Sequence, residues 1–142
     1  MARVDFYVLQ RVDERSRYTL ACKLAEKAYR LENTVYIHTR DPNDAARMDE
    51  LLWTFRDGSF VPHCLSGSSD GMETSPIMIG SGSDGIEPRD LLINLCDEIP
   101  TFASAFPRVA ELVTSDENCR QLSRQRFVEY RNQGHSIQTH NL

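Results

Sequence analysis

The residue types able to do chemistry in this 142-residue chain are few and scattered. Gly80-Ser-Gly82-Ser-Asp-Gly85 has the spacing of a dinucleotide fingerprint, in which glycines let the backbone approach a pyrophosphate held at a helix N-terminus. Here Ile86-Glu-Pro88-Arg-Asp90 leads straight into the apolar run Leu91-Leu-Ile-Asn-Leu95, so no helix follows to hold the phosphate and the run reads as a loop. The turn at residues 10–16 contains no glycine and offers Asp13 and Glu14 where a phosphate would sit. His63 and Cys64 suggest a thiol with its base or two metal ligands, but adjacent side chains generally point apart, which predicts a loop histidine and a packed cysteine. His38 ends an apolar run and His135 and His140 lie in a polar stretch, so no histidine pair has helical ligand spacing. The acid pairs Asp49-Glu50 and Asp97-Glu98 read as solvated faces. These residues predict no catalytic group, no metal site and no cofactor.

Two features ask for a partner instead. At about 100° per residue, Arg120, Arg124 and Arg131 fall on one narrow stripe of a helix over 116–132, with Phe127 on its core edge and Val128 on its outer edge. Stacked like charges cost about 0.2–0.5 kcal/mol per pair. The stripe is either a solvated face, partly neutralised by Glu117 and Glu129, or a patch awaiting an anion, and the spacing does not choose between them. Guanidinium groups beside an aromatic suit a carboxylate on an apolar side chain, as at a peptide C-terminus. The segment Leu51-Leu-Trp53-Thr-Phe55-Arg-Asp-Gly-Ser-Phe60-Val-Pro62 is too apolar for a single core-facing stripe. Trp53 then packs into a larger core or anchors a protein interface.

The elements that must position these residues alternate in type. Val4-Asp-Phe-Tyr-Val-Leu9 reads as a buried strand. A helix capped by Ser16 or Thr19 follows, with an apolar stripe through Leu20, Leu24, Ala28 and Leu31. Thr34-Val-Tyr-Ile-His38 is a second strand, and Asp41-Pro42-Asn43 opens a second helix carrying Met48, Leu51, Leu52 and Phe55. Residues 66–88 are rich in Gly, Ser and Asp apart from the short strand Pro76-Ile-Met-Ile79; strands at 91–95 and 109–113, a helical turn at 101–106 and the long helix complete the order. The pattern predicts one α/β domain over residues 1–142, Rossmann-like and three-layered. Its central sheet is mostly parallel with helices on both faces, and residues 134–142 form a polar tail.

Bulk properties narrow the classes. The four cysteines, Cys22, Cys64, Cys96 and Cys119, lie far apart and read as free thiols, with Cys22 and Cys96 in core runs. A formal net charge of -5 opposes direct strong binding to nucleic acid. A charge sits inside the first apolar run and no stretch reaches transmembrane length, so the expectation is a cytoplasmic protein without membrane association. A small Rossmann-type nucleotide-binding domain or enzyme is the alternative reading of such a chain.

Asp49-Glu-Leu-Leu-Trp53-Thr-Phe-Arg-Asp-Gly-Ser-Phe60-Val-Pro-His63 resembles the signature segment of the chi subunits of bacterial DNA polymerase III. The likeness extends through Val4-Asp-Phe-Tyr-Val8, Ala25-Glu-Lys-Ala-Tyr29, Val35-Tyr-Ile-His38, residues 90–95 and Arg124-Gln-Arg-Phe-Val-Glu-Tyr-Arg131. The resemblance implies a Rossmann-like domain without nucleotide, non-catalytic itself but part of a DNA-directed DNA polymerase holoenzyme. It implies that the psi subunit links the chain to the clamp loader, and that the chain grips the acidic C-terminal tail of single-stranded DNA-binding protein. By position, the psi contact falls on Trp53 and Phe60, and the tail pocket on Val113, Arg124, Phe127 and Val128. Phe127 stands where the family's best-known pattern has tyrosine, and Val128 where it has lysine, so Arg120 or Arg131 is expected to supply the missing charge.

Overall fold

A computed structural model describes residues 2–55, 61–65, 75–81 and 89–142. Its strands are β1 (Arg3–Val8), β2 (Val35–His38), β3 (His63–Leu65), β4 (Ile77–Gly80), β5 (Leu91–Asn94), β6 (Arg108–Val113) and β7 (Ser136–Asn141). The helices are α1 (Glu14–Arg30), α2 (Pro42–Thr54) and α3 (Glu117–Asn132), with a 3₁₀ turn at Ala103–Ala105. Among the described residues seven strands join one sheet in the order β3-β4-β2-β5-β6-β1-β7, and each pairing between them is parallel. This is the expected α/β architecture.

Alternation along the strands builds two cores. Val35 and Ile37 of β2 face α1 and α2, where they join Cys22, Ala25, Met48 and Leu52; Tyr36 faces the other way, into a cluster with Phe6, Leu92, Phe106 and Tyr130. Helices therefore cover both faces of a buried parallel sheet. α2 packs on β3 and β4 at one edge, while α3 packs on β6 and β7 at the other.

Several boundaries differ from the sequence reading for physical reasons. Asp13, not Ser16 or Thr19, caps α1: its carboxylate accepts from Ser16 N (3.0 Å) and Ser16 Oγ (2.8 Å). The buried stripe of α1 is the small-residue set Ala21, Cys22, Ala25 and Ala28, which lets the helix approach the sheet closely, whereas Leu31 is exposed. At α2, Asp41 caps as expected, accepting from Asp44 N with Pro42 in the first turn. The polar residues 134–142 are not a loose tail but contain β7. α3 ends in a Schellman turn, with His135 N donating to Tyr130 O and Gly134 at φ 86°, a conformation that suits glycine, and the chain then pairs with β1 throughout. His63 is likewise not a loop residue but opens β3.

Candidate functional site: a cleft between α3 and the β7 edge

α3 is held against the sheet by one buried polar cluster. Glu111 of β6 is fully buried and accepts from Arg126 Nε (3.0 Å), Tyr130 OH (2.7 Å) and Asn94 Nδ2 (2.8 Å). Arg126 also donates to Asp97 O at 2.8 Å, which ties α3 to the loop after β5. Burial pushes the Glu111 carboxyl above its usual range, against the pull of Arg126 and the two neutral donors. Burial and the neighbouring Glu111 raise the Tyr130 phenol as well. Such a cluster can mark a catalytic centre. Here Glu111 and Tyr130 are both sealed from solvent, and the bonds from Arg126 and Tyr130 fix the rotation of α3 on β6.

With that rotation fixed, the opposite edge of α3 overhangs a cavity of about 260 Å³. Ser123, Arg124, Phe127 and Val128 line it from the helix, Phe6 and Val8 from β1, Val113 from β6 and Thr139 from β7. Phe127 is half-buried, with its ring 5.5 Å from that of Phe6 at 51°, and Phe6 in turn meets Tyr130 edge-on at 6.1 Å. The floor is therefore apolar and braced by aromatic packing. Val128 and Arg124 are exposed at its lip.

Of the six residues expected to form a tail pocket, Val113, Arg124, Phe127 and Val128 meet around this cavity. Arg120 and Arg131 do not line it; they are exposed on the same helix, one turn before and about two turns after Arg124. Among the described residues no carboxylate pairs with Arg120, Arg124 or Arg131. By contrast, Arg3, Arg11, Arg17, Arg30, Arg40, Arg47, Arg108 and Arg126 each reach one. In a chain of net charge -5, leaving these three cations unpaired on one face concentrates positive potential beside the cavity. Sequence reasoning missed Phe6, Val8, Ser123 and Thr139. Phe6 and Val8 were legible in the alternation of the first strand, whereas Thr139 lay in the presumed tail.

The second expected surface lies across the molecule. Trp53 on α2 is 55% exposed, and its ring stands edge-on to His63 at 4.9 Å. His63 is buried, with Nδ1 2.7 Å from Val61 O and Nε2 3.2 Å from Asp49 Oδ1, so it ties Val61 to α2 beside Trp53. Phe60, the other residue expected here, lies outside the described residues, as do Gly82 and Gly85 of the glycine-rich run.

Among the described residues no group of three or more His, Cys, Asp and Glu side chains could hold a metal ion. Burial raises the thiol of Cys22 to about 12 and that of Cys96 to about 11, which favours the protonated form of both near neutral pH, although Cys96 is only half-buried. At the N-terminus of α1, where a Rossmann domain holds phosphate, the chain's own Asp13 carboxylate occupies the helix end with Glu14 beside it. No helix among the described residues is long and apolar enough to cross a membrane.

Fold and cleft together define a small, parallel, Rossmann-like α/β domain that carries an apolar cavity rimmed by arginine. The comparisons name its family. Residues 1–138 match the family described as DNA polymerase III chi subunit, HolC. The DNA polymerase III subunit chi of Pseudomonas aeruginosa is 43% identical over 142 residues, covering 100% of this chain and 98% of that protein. Those of Haemophilus influenzae and Escherichia coli are 33% and 32% identical, covering 97% and 98% of this chain and 96% and 97% of those proteins. The chain belongs to the DNA polymerase III chi subunit family and is thus a replication accessory subunit.

Proposed function

We propose that this subunit is a non-catalytic cytoplasmic adaptor that holds the acidic C-terminal tail of single-stranded DNA-binding protein in the α3 cavity and docks on psi through the Trp53 surface. Psi then joins it to the clamp loader. The observation that carries the reading is the meeting of Val113, Arg124, Phe127 and Val128 around one cavity, beside arginines that no described carboxylate pairs. The terminal phenylalanine of the tail packs on Phe127, Phe6 and Val113. Arg124 pairs with the terminal carboxylate, a charge-assisted contact on a lip otherwise formed by Val128. Arg120 adds positive potential beside that carboxylate, and Arg131 meets aspartates further up the tail.

The layout suits a bridge. α2 packs at the β3 edge on one face of the sheet and α3 at the β7 edge on the other, so the two partners do not compete for surface. Trp53→Ala should weaken psi binding by about 2 kcal/mol or more, the size expected of an aromatic anchor. Calorimetric titration of psi into both proteins checks it, and equal dissociation constants would remove Trp53 from the interface. The tail reading is tested by fluorescence anisotropy with a labelled acidic peptide ending in Pro-Phe. Binding that survives deletion of the final Phe would place the site elsewhere.

A further inference from the structure

The cavity is continuous with an open strand edge. β7 ends the sheet and pairs with β1 in unbroken parallel register from Ser136 to Asn141. Ser136 N donates to Ala2 O (3.1 Å) and Leu142 N to Val8 O (3.0 Å), so the even-numbered backbone groups of this strand face β1. The N–H and C=O of one strand residue point the same way and alternate along the chain. Ile137, Thr139 and Asn141 therefore turn theirs outward, and Thr139 is also a wall of the cavity. Such edges are usually guarded by lysine, proline, a bulge or a covering element. Residues 136–141 hold neither lysine nor proline, their register is unbulged, and among the described residues no backbone bond reaches the outward groups.

We infer that the acidic peptide whose end fills the cavity adds to this edge as an eighth strand, parallel to β7, with its main chain bonded to Ile137, Thr139 and Asn141. This rests on the cavity reading above and says how the rest of the same peptide is held. Position sets the direction. Val8 and Val113, the last residues of β1 and β6, put the cavity at the carboxyl end of the sheet. A chain ending there and running parallel to β7 has the whole strand beside its upstream residues, whereas an antiparallel chain would run off past Asn141. Charge fits the same direction: Arg131 lies in the last turn of α3, close to where the chain enters β7, so upstream carboxylates meet a cation that the cavity itself does not use. Main-chain bonds then supply affinity independent of sequence, while the cavity selects the terminal side chain.

Amide exchange read by NMR on the full chain, with and without a saturating acidic peptide ending in Pro-Phe, tests this. Exchange at Ile137, Thr139 and Asn141 should slow at least about tenfold on binding, while Gln138 and His140, already facing β1, change little. Peptides N-methylated at alternate upstream positions should bind at least about fivefold more weakly in one phase and nearly unchanged in the other, since only every second residue of an added strand faces its neighbour. If the peptide binds and needs Arg124 and its own terminal Phe, yet the three amides exchange as in the free protein and both methylation phases are tolerated, the edge is not used. The inference then falls and the cavity reading stands. If no peptide binds, both fall.

Discussion

Replacing Glu111 by glutamine removes one charge and almost no volume from the cluster that orients α3. Tyr130 OH and Asn94 Nδ2 keep a possible acceptor, but Arg126, only 4% exposed, loses the counter-charge 3.0 Å from its Nε. An arginine cannot shed its proton to escape burial. Leaving a buried charge without its partner costs about 3–5 kcal/mol. A chain of this length loses about 3–5 °C in Tm per kcal/mol, so Glu111→Gln should melt about 10–20 °C lower. Adding Arg126→Met should recover most of the loss, because an uncharged pair of similar volume carries no such penalty. Arg126→Met alone should be milder than Glu111→Gln at acid pH, since the remaining carboxyl, already raised by burial, can neutralise itself by taking a proton. Urea denaturation of the four proteins, with m-values compared, separates these effects from changes in the unfolded state. A Glu111→Gln protein within about 1 kcal/mol of wild type, or a double variant no more stable than the single, would refute the view that this ion pair holds α3.

Two further predictions concern the exposed and the edge charges. Arg124→Ala should leave urea stability within about 0.5 kcal/mol, having no described ion pair to lose, yet weaken tail-peptide binding about five- to thirtyfold, most at low salt; Val128→Lys should tighten it. Anisotropy titrations at two salt concentrations check both variants, and equal affinity for Arg124→Ala and wild type would exclude Arg124. At Asp5, burial alone would raise the carboxyl, but His140, Arg3 and Arg108 more than offset it and hold the group below its ordinary value of 3.8. A depressed carboxylate stabilises the fold above its unfolded value, and that stability is lost as pH falls through the folded one. Wild type should therefore lose more stability than Asp5→Asn below about pH 4. Parallel acid unfolding curves would show that Asp5 contributes nothing to anchoring β7.

The sheet was legible where burial is two-sided. β1, β2 and β5 are apolar runs because helices cover both faces, and the Asp41-Pro42 start of α2 is local chemistry that needs no tertiary context. β7 was not legible, because an edge strand buries little: only Ile137 of its six residues packs into a core, so Ser136-Ile-Gln-Thr-His-Asn141 reads as polar. The start of α1 was hidden similarly, since Asp13-Glu-Arg-Ser-Arg17 looks solvated although Arg17 is 2% exposed and paired with Glu14 at 2.7 Å. At the candidate site the sequence supplied the α3 residues, which helical spacing places together. The β1 and β7 walls depend on which strands become neighbours, and the Glu111–Arg126 pair joins two elements that no local pattern connects.

The central claim, that the α3 cavity holds an acidic peptide by its terminal aromatic residue, is met most directly by one titration of the intact protein. Two labelled peptides of the same acidic sequence, one ending in Phe and one lacking only that residue, are titrated at a fixed salt concentration near physiological. Salt screens the arginine contacts equally for both, with a Debye length of about 8 Å, so the difference between them reports the cavity. Burying a phenylalanine side chain is worth about 1.5–3 kcal/mol, which predicts at least about tenfold tighter binding for the Phe-ended peptide. Equal affinities for the two peptides would contradict the account.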